Sequence, residues 1–118
     1  MQLLFSHANG YPPDSYRALL TSLSETLGVS VSTHAHRPLV SDEPAPTFLT
    51  WQTYASDLIE RIEGDQRGPV WLIGHSMVAA SAVLAAARRP ELFAGIVALD
   101  PVLVPTRIWV LGQSVLFF

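Results

Sequence analysis

Apolar positions along the chain fall in short blocks that switch between two periods. Gln2-Leu3-Leu4-Phe5-Ser6 is a brief apolar run closed by a polar residue, the pattern of a buried strand. From Tyr16 the spacing lengthens: Tyr16, Leu19, Leu20, Leu23 and Leu27 share one face of a surface helix that Asp14 or Ser15 can cap and Gly28 can stop. Val29 to His34 alternates and carries β-branched residues, predicting a second strand. Arg37 to Phe48, with Pro38, Pro44 and Pro46, reads as an exposed loop. Trp51, Tyr54, Ala55, Leu58, Ile59 and Ile62 then return to helical spacing, from a Thr50 cap to a Gly64 stop. Val70 to Ile73 is a third strand, its helix runs from about Ser76 to Arg89 where Pro90 prevents continuation, and Gly95 to Leu99 is a fourth strand. Strands that alternate with helices predict an α/β domain of about four parallel strands with three crossover helices.

Composition narrows the function classes. The 118-residue chain has the length of one domain, and 49% hydrophobic against 14% charged residues specifies a core and excludes disorder. A net charge of -3, with seven Lys and Arg and no basic run, offers no phosphate-neutralising patch, so no nucleic-acid partner is expected. The absence of cysteine excludes disulfides, thiolate nucleophiles and Cys-based metal sites. No charged leader precedes an apolar segment, which makes a cytoplasmic location the expectation. Val70 to Ala87 is eighteen residues without a formal charge. Gly74, His75, Ser76 and Ser81 interrupt it and alanine adds little transfer free energy, so no membrane span is expected.

The break between the third strand and its helix, Gly74-His75-Ser76-Met77-Val78, holds the candidate chemistry. A serine on a tight strand-to-helix turn is raised clear of the sheet, beside the unpaired N–H groups that open the helix. The bland alternative is an N-cap serine that only satisfies backbone donors. A phosphate loop would need a lysine after Gly74 and a dinucleotide fingerprint would need three glycines, and neither is present.

These residues resemble the Gly-x-Ser-x-Gly nucleophile elbow of the α/β-hydrolase family, with Val78 in place of the second glycine. Phe5-Ser6-His7-Ala8-Asn9-Gly10-Tyr11-Pro12 is similar to the turn that gives the family its second oxyanion-hole donor. Arg88-Arg89-Pro90-Glu91-Leu92-Phe93 and Leu99-Asp100-Pro101 also resemble it. The resemblance implies a partial α/β-hydrolase fold over residues 1–118: an oxyanion loop at 7–13, the elbow at 74–78, an apolar tail at 106–118, and strands in the spatial order second, first, third, fourth. It implies Ser76 as nucleophile, the N–H groups of Met77 and of Asn9 or its neighbour as oxyanion donors, and Asp100 as a candidate acid before Pro101. His7 is expected to stabilise its turn. The implied substrate is a small molecule with an ester, thioester or related acyl bond, and no cofactor is called for.

In the family the acid usually follows a later strand, some members placing it after the strand that matches Gly95 to Leu99, and the triad histidine follows the last strand, beyond the length of this chain. His75 should point away from Ser76, and His34 and His36 lie at the end of the second strand, where the family does not place its base. Those two, with Asp42 or Glu43, offer a conceivable metal pair on a solvated loop, but no third fixed ligand, so no metal site is expected. Val78 is expected to strain the elbow by about 1 to 3 kcal/mol. The chain alone is therefore expected to be weak or inactive as a hydrolase. The alternatives are a non-catalytic binding domain that keeps the hydrolase pocket and uses its apolar tail to recruit a partner, and a truncated product; the same tail offers a surface for self-association.

Overall fold

The computed structural model describes residues 1–8, 10–36 and 51–102. Among them four strands, β1 (Leu3–Ser6), β2 (Val31–His34), β3 (Val70–His75) and β4 (Phe93–Leu99), form one sheet. Three α-helices, α1 (Arg17–Leu27), α2 (Trp51–Asp65) and α3 (Met77–Arg88), connect them. All paired neighbours are parallel, in the order β2-β1-β3-β4. The fold is thus a partial α/β architecture of the predicted strand order.

The pleat divides the side chains between the two faces. Leu4 pairs across to Leu72, and Leu72 to Ile96, so these residues share a face. That face is covered by α2 and α3, and its core is Leu4, Val70, Leu72, Tyr54, Leu58, Val78 and the buried alanines of α3. Alanine is what lets α3 lie close to the sheet: Ala79, Ala80, Ala82 and Ala85 are all buried. Phe5 points to the opposite face and packs its ring on Tyr16, just before α1, with centroids 4.5 Å apart. On that face Trp71 lies over Gly95, where a Cβ would come within 2.3 Å of the Trp71 ring. A glycine is required there by the indole, not by the backbone.

The chain leaves β1 toward one face and β3 toward the other, although β1 and β3 are neighbours. Open parallel sheets of this winding bind ligands outside the carboxyl ends of the two strands where the winding reverses, here β1 and β3.

Several local expectations shift. Neither Asp14 nor Ser15 caps α1: Pro13–Tyr16 forms a 3-10 turn instead, and Tyr16 occupies the N-cap position without a side-chain cap bond. Pro12 and Pro13, each with φ preset, start the turn a residue or two early. Gly28 does end α1 in the left-handed region, φ 64°. No residue of α1 is buried, and Leu19 and Leu27 are exposed, as fits a surface helix only half covered. α2 runs through Gly64 to Asp65, and the turn that follows uses Gln66 and Gly68 at positive φ. β2 begins at Val31 and β4 already at Phe93. Arg89 closes α3, bonding Glu63 of α2 and Glu91, and Pro90 follows as predicted. Among the described residues no helix is long and apolar enough to cross a membrane. The expected loop at Arg37 to Phe48, the Thr50 cap and the tail at 106–118 lie outside the described residues.

Candidate active site

At the corner between β3 and α3, Ser76 has φ 60° and ψ -122°. A non-glycine residue in that region costs on the order of 1 to 3 kcal/mol, and persists only where its surroundings overdetermine it. Here they do. Ser76 N–H donates to Leu99 O at 2.9 Å, and Ser76 O accepts from Ala79 N–H at 3.1 Å. The close approach is made at Gly74, where a Cβ would stand 3.0 Å from Ala79 Cα and 3.1 Å from Ala79 N. Gly74 is the glycine the turn cannot lose.

The hydroxyl of Ser76 makes no cap hydrogen bond, although the residue sits at the N-cap of α3. The bland role, a serine that satisfies the helix's own donors, is therefore not the one this side chain performs. Met77 N–H opens α3, where the first N–H groups of a helix have no acceptor within it. Val78 is in the helix with its side chain fully buried in the core. The strain expected at Val78 is instead on Ser76: among the described non-glycine residues only Gln66, Ser76 and Asp100 have positive φ.

Asp100 follows β4 directly, at φ 46° and exposed to solvent. The bond from Ser76 N–H to Leu99 O keeps the Asp100 backbone beside the elbow. No histidine among the described residues bonds Asp100 or the Ser76 hydroxyl. Asn9 lies outside the described residues. Its neighbours form a tight turn: Ala8 O accepts from Tyr11 N–H at 3.1 Å, and Gly10 takes φ 78°.

His7 behaves as the expected turn residue. It is buried, and its Nδ1 lies 2.8 Å from Ala8 O, which can only accept, so Nδ1 carries the proton. Its Nε2 then accepts from His36 N–H at 3.1 Å. Both ring nitrogens are used by the neutral tautomer, and burial holds the His7 pKa below its usual value.

His34 and His36 were expected on a solvated loop, and the structure overturns that. Both are buried. His36 packs between His7, His34 and Tyr54, with ring centroids 4.4, 5.2 and 5.5 Å away, and its Nε2 lies 3.1 Å from Ser6 Oγ. Desolvation, aided by the neighbouring histidines, pushes the His36 pKa down to about 3. Burial also lowers His34 to about 4, against the opposing pull of Asp57. Both are buried neutral, with His34 Nε2 and His36 Nδ1 left without a hydrogen-bond partner among the described residues, and alternation of polarity along a strand carries no sign of such burial. Among the described residues no group of three His, Asp or Glu is placed to hold a metal ion.

Tyr16 is the site residue that the sequence pattern missed. Read as one member of an apolar helix face, it instead brings its hydroxyl within 3.1 Å of Ala8 N and 2.8 Å of His75 Nδ1. His75 points away from the core face, as expected from its place before Ser76. The arrangement presents an unused hydroxyl at a strained corner, next to a helix opening, with the turn after β1 tied beside it through Tyr16. Chemically, it can offer a nucleophile and backbone donors to a carbonyl group.

The chain is similar to two curated proteins. It is 31% identical to the monoglyceride lipase of Rattus norvegicus over 114 residues, covering 86% of this chain and 35% of the relative. It is 30% identical to the monoglyceride lipase of Homo sapiens over 106 residues, covering 84% of this chain and 34% of the relative. The chain thus spans about a third of the length of these relatives. No family model matches it.

Proposed function

We propose that this chain carries the nucleophile portion of an α/β-hydrolase active site, with Ser76 attacking an acyl ester. The observation that carries the reading is the backbone of Ser76, φ 60° and ψ -122°, with a hydroxyl that caps nothing. Ser76 is half-buried, and backbone outliers of this kind gather at active sites. Similarity to two lipases supports the same class.

In the proposed reaction Ser76 Oγ adds to the acyl carbonyl carbon while its proton passes to an imidazole base that is none of this chain's four histidines, since all four are described and none bonds Ser76. The carbonyl oxygen becomes an oxyanion facing Met77 N–H and an N–H at or beside Asn9, each worth about 3 kcal/mol in the transition state. The C–O bond then breaks, and the leaving alcohol takes the proton back. Water repeats the sequence on the acyl-serine and releases the acid. Asp100 would orient the imidazole and stabilise its charged form. The relatives are named for monoglycerides, so monoglyceride-type esters are the first substrates to test, within the wider class of esters and thioesters.

The absence of a described histidine bonded to Ser76 favours one second reading, a binding domain that keeps the pocket without the chemistry. Fluorophosphonate labelling of the folded 118-residue chain in imidazole buffer, which supplies the base the mechanism needs, with Ser76→Ala as control, separates the two. Labelling that the control abolishes supports the hydrolase. A folded chain that stays unlabelled overturns it in favour of binding.

A further inference from the structure

We propose that Tyr16 is a positioning residue that locks the loop after β1 to the turn carrying Ser76, so that the two halves of the site move as one body. The consequence for reactivity rests on the hydrolase reading, but the coupling itself rests on geometry alone.

The phenol oxygen has two partners. Ala8 N–H, 3.1 Å away, can only donate, so the phenol oxygen accepts from it. The single phenol proton is then free for His75 Nδ1 at 2.8 Å, which fixes His75 as the tautomer protonated on Nε2. The ring is held in place from two sides. Phe5 of β1 packs against it at 4.5 Å, and His75 meets it edge-on at 5.8 Å with an interplanar angle of 87°. One side chain therefore joins β1, the loop at Ala8 and the last residue of β3.

Ala8 and His75 are each one residue from a reacting element: Asn9, where a donor is proposed, and Ser76. The Ala8 peptide is tied on both sides, since its carbonyl accepts from Tyr11 N–H and His7 Nδ1. On the far side of the elbow, Leu99 O and Val102 N–H hold the Ser76 backbone to the β4 end, at 2.9 and 3.5 Å. Without Tyr16 the elbow would be tied to β4 by its own backbone and to β1 only through the ladder that ends at Ser6 and Gly74, with no tie reaching the Ala8 loop itself. An error of about 1 Å between nucleophile and donor costs on the order of 100-fold in rate, which makes such a tie consequential.

Tyr16→Phe keeps the ring and removes both hydrogen bonds. In the full chain, nitrogen-15 spectra should show His75 Nδ1 as an unprotonated acceptor, and the variant should lose that signature. Amide exchange at Ala8 and at Ser76 should quicken together, by about ten-fold or more, while the far-UV spectrum is unchanged. Fluorophosphonate labelling of Ser76, in the same imidazole buffer, should slow by about ten-fold. His75→Asn, which keeps an acceptor near the Nδ1 position, should retain most of the labelling rate. His75→Leu should match Tyr16→Phe, and the double variant should be no slower than either. Unchanged Ser76 exchange in Tyr16→Phe, or additive losses in the double variant, would overturn the proposal. If the native chain does not label at all, the hydrolase reading fails, and the exchange experiment still decides the coupling.

Discussion

Acid should unfold this protein earlier than its carboxylates require, because two histidines are buried in the neutral form. His34 and His36 titrate at about 4 and about 3 in the fold, against 6.5 when exposed. Below pH 6.5 the unfolded chain takes up a proton on each, while the folded chain does not until the lower values are reached. The stabilisation is therefore fully present above pH 6.5 and lost as pH falls toward 4. Two such groups give a slope of about 2.7 kcal/mol per pH unit, or about 4 kcal/mol between pH 6.5 and 5. That is a large share of a typical stability of about 5 to 15 kcal/mol. His7, also lowered by burial, adds in the same direction. The assay is the urea midpoint, read by far-UV circular dichroism in steps from about pH 7.5 to 4.5. Stability should be flat above about pH 7 and fall steeply below about 6.5. Replacing His34 by Gln should remove about half of the slope. A midpoint that stays constant down to about pH 5 would refute the reasoning, because solvated or already charged imidazoles give no such slope.

Val78→Gly, which would restore the glycine of the resembling motif, should lower stability by about 2 to 4 kcal/mol in urea unfolding, since it empties a buried position and loosens α3. Ser76→Gly should raise the melting temperature by a few degrees, relief of about 1 to 3 kcal/mol of backbone strain outweighing the flexibility gained by the unfolded chain, while abolishing fluorophosphonate labelling. Gly95→Ala should displace the Trp71 ring, shift part of the tryptophan emission and lower stability by about 1 kcal/mol.

Much of the fold was legible because it rests on periodicity. Leu3 to Phe5 and Val70 to Ile73 read as buried strands, the Trp51 to Ile62 spacing as a helix with a buried face, and Gly28 and Pro90 as stops; each depends only on neighbours in sequence. Elements whose partners come from elsewhere in the chain were not legible. Tyr16 fits an apolar stripe by spacing, and only the meeting of β1, β3 and the Ala8 turn gives its hydroxyl something to bond. His34 and His36 look like polar strand-end residues until Ser6, His7 and Tyr54 close around His36 and His34 packs edge-on against it. The turn at Ser76 was legible as a resemblance, but what holds it in that conformation was not.

That reason is a division of labour between two small residues and two strand ends. Gly74 lets α3 approach to within contact of β3, and Ala79 presents no side chain bulky enough to prevent it. Leu99 O then captures the Ser76 amide from the neighbouring strand, fixing the turn by its backbone. A serine held in this way does not need its side chain to maintain its own conformation. An N-cap serine spends its hydroxyl on the helix, whereas Ser76 is held by packing and by Leu99, and its hydroxyl is left for another partner. The same logic explains why Val78 is tolerated where the motif has glycine. The close contact is made one turn earlier in the chain, at Gly74, and Val78 faces the core, where a branched apolar side chain adds to the packing that keeps the corner strained.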